Sequence, residues 1–522
     1  MTELTSDALE SGREAMARRA WHEAYDLLKR ADAERPLSPA DLELFAAAVQ
    51  WTGRGDEHVA TLERSFRGYS DAGNRLRAAF VATRLAHEAV NQLQPAVANG
   101  WMGRAKRLLD EQPEAAEHGY WLLERVHVTS DYDTDAMLAD AKQAETIGRR
   151  VGDRSLEIRA IQRQGAALIA QGDVAAGSAL LDEASAAAIA GELDPLSTVV
   201  VYCNTIGACR DVADFDRAGE WTDLAHTFCA DGSMAAFPGL CRVNYAEVMK
   251  YKGRLAEAQA EARRAGEELR TWSPKIAGAA FFELGEIRLR LGELAAAEQA
   301  FREADEHGTD PEPGRSLLRL AQGNAKAAWA SIKRALSDEA LTMPGRVRLL
   351  PAAIEIALAA GEREQADELA SDLAAAAETY RTSALKAAAA FARGSVHVAR
   401  GDTGAAFSCF REARRLWEAS GAAYDVARAR EQLGLVARAE GDRETAVWEL
   451  QAAAARFERL GAVRDAERVA ECLRPADPET VTKTFLFTDI VKSTELLSTM
   501  GDRHWANALR RHDGTLRTIF AD

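Results

Sequence analysis

GDRETAVWELQAAAARF, Gly441 to Phe457, contains the unit from which most of the chain is built. Glycine is the residue best suited to the left-handed position that ends a helix, and the polar residue after it starts the next one. Ala446, Leu450, Ala453, Ala454 and Phe457 then recur at helical spacing, which gives one apolar face on the second helix. A small residue such as Ala446 lets the two helices approach closely, so the stretch predicts an antiparallel helix pair.

The frame of Gly, a polar residue and an alanine near the fifth position returns along the chain. It occurs as Gly172-Asp173 with Ala176, Gly253-Arg254 with Ala258, Gly292-Glu293 with Ala297 and Gly323-Asn324 with Ala328. It occurs again as Gly361-Glu362 with Ala366 and Gly401-Asp402 with Ala406, while Ala213-Asp214-Phe215 has alanine in the glycine position. From residue 172 the steps are 41, 40, 39, 31, 38, 40 and 40 residues. Tetratricopeptide repeats have a period of about 34 residues, and these units resemble that family with longer helices. Each pair exposes an apolar face until a neighbour covers it, so the expected fold is an all-α, right-handed helical-repeat solenoid with a concave groove. A groove of that kind implies a protein or peptide partner.

The first third follows the same logic less regularly. Trp21, Ala24, Tyr25, Leu28 and Ala31 form one apolar stripe, and Leu44, Ala47, Ala48 and Trp51 form another. Val59, Leu62 and Phe66 follow the Gly53–Asp56 turn, and Met102, Ala105, Leu108 and Leu109 make a later stripe. The segments A-V-A-N-G-W-M-G-R-A-K-R-L-L, E-H-G-Y-W-L-L and F-P-G-L-C-R-V-N-Y-A-E-V resemble the helical-repeat region of large bacterial signalling regulators, including LuxR-type ones. That resemblance implies a sensor or scaffold. No DNA-reading helix-turn-helix accompanies it.

Prolines punctuate the array. Glu192 to Val201, with Pro195, and Gly308 to Gly314, with Pro311 and Pro313, both read as inter-helix loops. The short step of 31 residues from Gly292 includes the second of these, so irregular packing is expected there. Pro475 and Pro478 break the helical pattern and mark a connector. The expected division is therefore a repeat array over 1–474, a linker over 475–481 and a separate segment over 482–522.

Composition bounds the rest. Lys and Arg number 65 against 81 Asp and Glu, a net charge of −16, which disfavours broad binding to nucleic acid. The six cysteines form no C-x-x-C pair and have no paired histidines nearby, so they read as small hydrophobes in a reducing compartment. The polar, acidic N-terminus is not a signal peptide. No run approaches the roughly 18 apolar residues of a membrane span. The expected location is the cytoplasm.

TKTFLFTDIVKST, Thr482 to Thr494, is different in kind. Thr484, Phe485, Leu486, Phe487 and Ile490 suit a short buried strand, which runs into Asp489; Ser493 and Thr494 can then cap a helix. A carboxylate at a strand end facing a helix N-terminus can hold a divalent cation against a polyphosphate. F-L-F-T-D-I-V-K-S-T, then E-L-L-S-T-M-G-D-R-H-W and L-R-R-H-D, resembles the opening of a class III adenylate/guanylate cyclase domain, over 41 of 522 residues. The resemblance implies a βα fragment of a ferredoxin-like α/β domain that cyclises ATP or GTP with release of diphosphate. It further implies two Mg²⁺ or Mn²⁺ ions and a homodimer. Asp489 would be a metal ligand, Ile490 would lend its backbone carbonyl, and the amides of Val491, Lys492, Ser493 and Thr494 would lie against the triphosphate. The second metal aspartate of that family belongs to a later G-D-G hairpin that is not among these residues, so this chain alone is expected to be inactive.

Other motifs read more plainly. His512 lies beside the stripe of Trp505, Leu509, Leu516, Ile519 and Phe520, and both it and His504 read as packing or interfacial residues. Trp101, Trp221, Trp329, Trp417 and Trp448 read as interhelix packing, and the short Arg runs near residues 104, 263 and 414 as solvated faces. No phosphate loop and no G-x-S-x-G elbow occur. Three functions compete on these grounds: a repeat sensor joined to a nucleotide cyclase, a protein- or peptide-binding scaffold with a vestigial cyclase segment, and, least favoured by the acidic charge and the missing helix-turn-helix, a transcriptional regulator whose DNA-binding part lies in another polypeptide or is lost.

Overall fold

The computed structural model describes residues 2–129, 133–230, 238–338, 341–474 and 493–519. The chain divides into two compact units, Met1–Leu473 and Arg474–Asp522. Among the described residues every regular element is an α-helix and no strand occurs. The proposed strand over 484–490, with Asp489 and Ile490, lies outside the described residues, as do Val491, Lys492 and the 475–481 connector.

The first unit is a serial stack of antiparallel helix pairs, and the repeat frame explains its turns. Gly172, Gly253, Gly292, Gly323, Gly361, Gly401 and Gly441 all have φ between 81° and 94°. Ala213, which replaces glycine in its unit, is held at φ 55° despite its Cβ. Where the polar residue is aspartate it caps the next helix. Asp173, Asp402 and Asp442 accept from the backbone N–H groups of Ala176, Ala405 and Thr445 at 3.2, 3.0 and 3.1 Å. The longer Arg254, Glu293 and Glu362 make no such bond.

Five residues after the turn, the small side chain sits in the helix–helix contact. Ala218, Ala258, Ala297, Ala328, Ala366 and Ala406 are fully buried there. The unit at Gly172 corrects the expectation for Ala176, which is exposed. Its fifth position is Gly177, where an added Cβ would stand 2.6 Å from the carbonyl oxygen of Gly165.

Three further expectations change. Pro195 does not lie in a loop: it opens the Pro195–Asp211 helix, capped by Asp194. Proline is tolerated at that first position because its missing N–H has no helical partner there. Trp448 is 70% exposed and packs against nothing in the core, whereas Trp417 is buried. In the Pro39–Trp51 helix the buried face runs through Leu42, Phe45, Ala46 and Val49, leaving Leu44 and Ala47 at its edge. The Gly308–Gly314 segment is a loop, and it is followed by the short Gly314–Ala321 helix. There the Glu312 carboxylate accepts from the Ser331 hydroxyl at 2.7 Å and the Ser316 amide at 3.2 Å.

The stack has two layers. First helices of successive pairs pack on one another, as Pro238–Tyr251 does on Pro274–Leu291 and Met343–Ala360 on Ser383–Arg400. Among the described residues the second helices show no comparable packing, so the first helices line the concave side. The array also winds tightly enough to touch itself. Gln92 Nε2 donates to the Trp272 carbonyl at 2.7 Å, and Thr382 Oγ1 donates to the Val212 carbonyl at 3.0 Å. Tyr251 and Ser420 share a hydroxyl–hydroxyl bond of 2.7 Å. These partners are 180, 170 and 169 residues apart and each contact spans nine helices, so one turn takes about four and a half helix pairs.

In the second unit a helix opens at Ser493, as the capping pattern predicts, and runs to Ile519 with a break at Gly501 (φ 68°, ψ 160°). Leu497, Met500 and Leu509 on it are exposed, and Trp505 and His512 are half-buried.

Candidate functional site

The first helices carry charged residues inside otherwise apolar faces. In the stretch A-A-F-F-E-L-G-E-I-R-L-R, Glu283, Glu286 and Arg290 lie three and four residues apart, on one side of the Pro274–Leu291 helix. Lys250, from the preceding first helix, reaches both carboxylates, at 2.6 Å from Glu283 and 2.5 Å from Glu286. Arg210 binds Glu247 at 2.7 Å and donates to the side-chain oxygen Oδ1 of Asn244 at 3.0 Å. Farther along, Arg428 binds Glu355 at 2.5 Å, with Asp425 at 3.8 Å.

These groups line a cavity of about 390 Å³ on the concave side, closed by helices from successive turns. Aromatic rings complete the wall. Phe215 stacks on Tyr251 with centroids 4.1 Å apart, and Phe391 leans on Trp417 at 5.3 Å. Arg428 lies over Phe391 at 4.9 Å, Arg348 over Phe282 at 4.5 Å, and Arg290 over Tyr424 at 4.9 Å.

Low solvent access makes the charges in this interior interact strongly. Burial pushes Glu283 up, and the charge of Glu247 adds to the effect. Burial opposes ionisation of Glu286 too, but Lys250, Arg290 and Arg348 together outweigh it and keep that carboxyl ionised. Lys250 therefore bridges two carboxyls that their surroundings shift in opposite directions.

A second polar cluster sits on first helices nearer the N-terminus. His87 Nδ1 is 2.9 Å from Glu124 Oε1, and the His87 and His127 rings meet edge to face at 5.7 Å. His127 Nε2 accepts from Arg163 Nη2 at 2.9 Å.

None of the cavity charges stands out in the sequence as a motif. Their one signal is an Asp, Glu, Lys or Arg at a position that helical periodicity assigns to a buried face. The C-terminal residues singled out for cation and triphosphate binding are not brought together by any described geometry. Asp489, Ile490, Val491 and Lys492 fall outside it, and of Ser493 and Thr494 the structure gives only their place in the first turn of a helix. Among the described residues no group of three or more His, Cys, Asp or Glu is placed to hold a metal ion. No described helix is long and apolar enough to cross a membrane. Cys203 and Cys241, read from sequence as unrelated small hydrophobes, place their Sγ atoms 3.4 Å apart.

No family model matches the chain, and no curated protein matches it. Among solved structures, it is similar to the APC/C hetero-tetramer Cut9-Hcn1, with 13% identity and a TM-score of 0.46 over 89% of this chain and 90% of that one. It is also similar to a Rap protein complexed with competence and sporulation factor, with 12% identity and a TM-score of 0.39 over 76% of this chain and 99% of that one. Both likenesses concern the helical-repeat fold alone.

Proposed function

We propose that the chain is a protein- or peptide-binding helical-repeat scaffold, which receives a short segment of its partner in the concave cavity. The observation that carries this reading is the cavity itself. Its volume of about 390 Å³ falls within the range of ligand-binding clefts, and its wall combines aromatic rings with convergent charged groups. A segment bound there contacts helices from two turns at once, so binding alters the winding of the array and can be read by whatever is attached to it. The test is retention of randomised short peptides on the immobilised full chain, compared with Ser395→Trp. Ser395 lines the cavity, so the indole fills it. Peptides kept by the wild type and lost by the filled variant are the expected result. Equal retention, or none by either protein, would overturn the reading.

The order F-L-F-T-D-I-V-K-S-T, followed by a helix that opens at Ser493, favours a second reading. In it the scaffold governs a class III nucleotide cyclase acting on ATP or GTP, assembled as a homodimer. Asp489 and the Ile490 carbonyl would hold Mg²⁺ or Mn²⁺ once that domain is complete, and Val491 to Thr494 would bind the triphosphate. Support for this comes from the sequence order. A G-D-G hairpin encoded within some tens of codons after Asp522 is the expected finding, and its absence would sink the cyclase reading while leaving the scaffold reading intact.

A further inference from the structure

Cys203 and Cys241 lie on successive first helices, Pro195–Asp211 and Pro238–Tyr251, and are 38 residues apart. That spacing is close to one repeat step, so the two occupy matching places in neighbouring units, and their Sγ atoms meet at 3.4 Å. Both are thiols. Cys203 is 4% exposed, whereas Cys241 is only half-buried. Cys209, six residues farther along the Cys203 helix, is a contrast: burial pushes its thiol up to about 12, which makes it a poor nucleophile. The paired sulfurs sit where one turn of the array packs on the next. Cys203 shares an apolar cluster with Trp21, Trp51 and Val199, and Cys241 lies against that cluster. The Trp21 and Trp51 rings stack with centroids 5.3 Å apart. Arg210 and Glu247, the ion pair on the cavity wall, belong to the same two helices, seven and six residues beyond the sulfurs.

Alanine or valine would fill these two places as well as cysteine does; what a facing pair of thiols adds is the capacity to bond. We infer that Cys203 and Cys241 form a reversible dithiol–disulfide site, oxidised by a small-molecule disulfide, that locks their two helices together beneath the indole stack. Cys241, the more accessible, reacts first. Its thiolate attacks one sulfur of the oxidant RSSR, and the departing RS⁻ takes up the proton that Cys241 released. Cys203 then gives up its own proton and attacks the Cys241 sulfur, expelling a second RS⁻ that becomes RSH. One S–S and two S–H bonds break while one S–S and two S–H bonds form, so the protein loses two electrons and the oxidant gains them. An excess of small thiol runs the same steps backwards. In a compartment kept reducing, the dithiol is the resting form and the bond records a shift in redox poise. Drawing the sulfurs to the roughly 2.05 Å of a disulfide moves the surface on which Trp21 and Trp51 rest and restrains the Arg210–Glu247 wall beyond it.

The experiment exposes the reduced, folded full chain to hydroxyethyl disulfide, then alkylates the remaining thiols and maps the peptides by mass spectrometry. The expected product is a Cys203–Cys241 cross-linked peptide that dithiothreitol abolishes. Its formation should change the indole emission and raise the melting temperature by a few degrees, because it closes a 38-residue loop in the unfolded chain. Cys203→Ala should stop at the mixed disulfide, with the hydroxyethylthio group left on Cys241. Cys241→Ala should leave the buried Cys203 unmodified, and Cys209→Ala should cross-link as the wild type does. Circular dichroism confirms that each variant is folded. No cross-linked peptide from the folded wild type, or a cross-link that leaves emission and melting as they were, would overturn the inference. Ready modification of Cys203 in Cys241→Ala would overturn the order of attack. No peptide ligand takes part, so neither result bears on the scaffold reading.

Discussion

The phenol oxygen of Tyr251 lies 2.7 Å from the hydroxyl of Ser420, a residue 169 positions later, with both side chains buried. Together with Thr382 on the Val212 carbonyl, this bond closes one turn of the array on the next. Ser420 also donates locally to the carbonyls of Leu416 and Trp417, so Tyr251→Phe leaves it satisfied. The expected loss is about 0.5–1.5 kcal/mol. Thr382→Val removes both the helix cap to Leu385 and the bond to Val212. It should cost about 1–3 kcal/mol, because a buried carbonyl is left unpaired. Urea denaturation of the two variants measures the difference, and hydrogen exchange should show the loosening in helices a full turn apart.

Gly177 and Gly441 have the same residue for different reasons. At Gly177 an added Cβ would meet the Gly165 oxygen at 2.6 Å and the Ile169 nitrogen at 2.9 Å, both backbone atoms that cannot step aside. Gly177→Ala should therefore push two helices apart and cost about 2–3 kcal/mol. Gly441 has open space around its missing Cβ but a φ of 85°. Gly441→Ala meets conformational strain only, and should cost about 1 kcal/mol. Equal losses in denaturation would mean that close approach is not what the fifth position protects.

Lys250→Met should be among the most damaging single changes in the cavity, at about 3–5 kcal/mol, since it leaves two buried carboxyls without their shared cation. Adding Glu283→Gln and Glu286→Gln to the same chain should recover much of that loss. The triple variant being less stable than Lys250→Met alone would contradict the account.

The histidine pair gives opposite pH dependences. Burial holds His127 at about 3, with Arg163 adding to the effect against the pull of Glu124. An unfolded chain takes that proton near pH 6.5, so stability falls as pH drops from about 6.5 towards 3. Glu124 raises His87, so its contribution is complete below its unfolded value and is lost as pH rises through its folded one. His127→Gln should flatten the acid side of a melting-temperature profile, and His87→Gln the side above neutrality.

The repeat units were legible because their requirements are local. A left-handed turn demands glycine, and a helix crossing demands a small residue, at positions a reader can count. Ala176 misled because G-D-V-A-A-G offers an alanine one place before the glycine that makes the contact. Pro195 misled because proline opens a helix as readily as it breaks one, and the Asp194 cap decides between them. The cavity charges could not be assigned in advance. Whether Glu283 faces solvent or Lys250 depends on the neighbouring pair, and the closure of the cavity depends on residues about 170 positions away. The cyclase-like order at Asp489 was legible as a string, while the residues that carry it fall outside the described structure.

Self-contact at a spacing of about 170 residues also limits how such a chain can lengthen. Duplicating a single helix pair would slide every later bond out of register, setting Ser420 and Thr382 against the wrong carbonyls and hydroxyls. Growth that preserves the seam has to come in whole coils of about nine helices, so the length of the array is quantised by its own circumference.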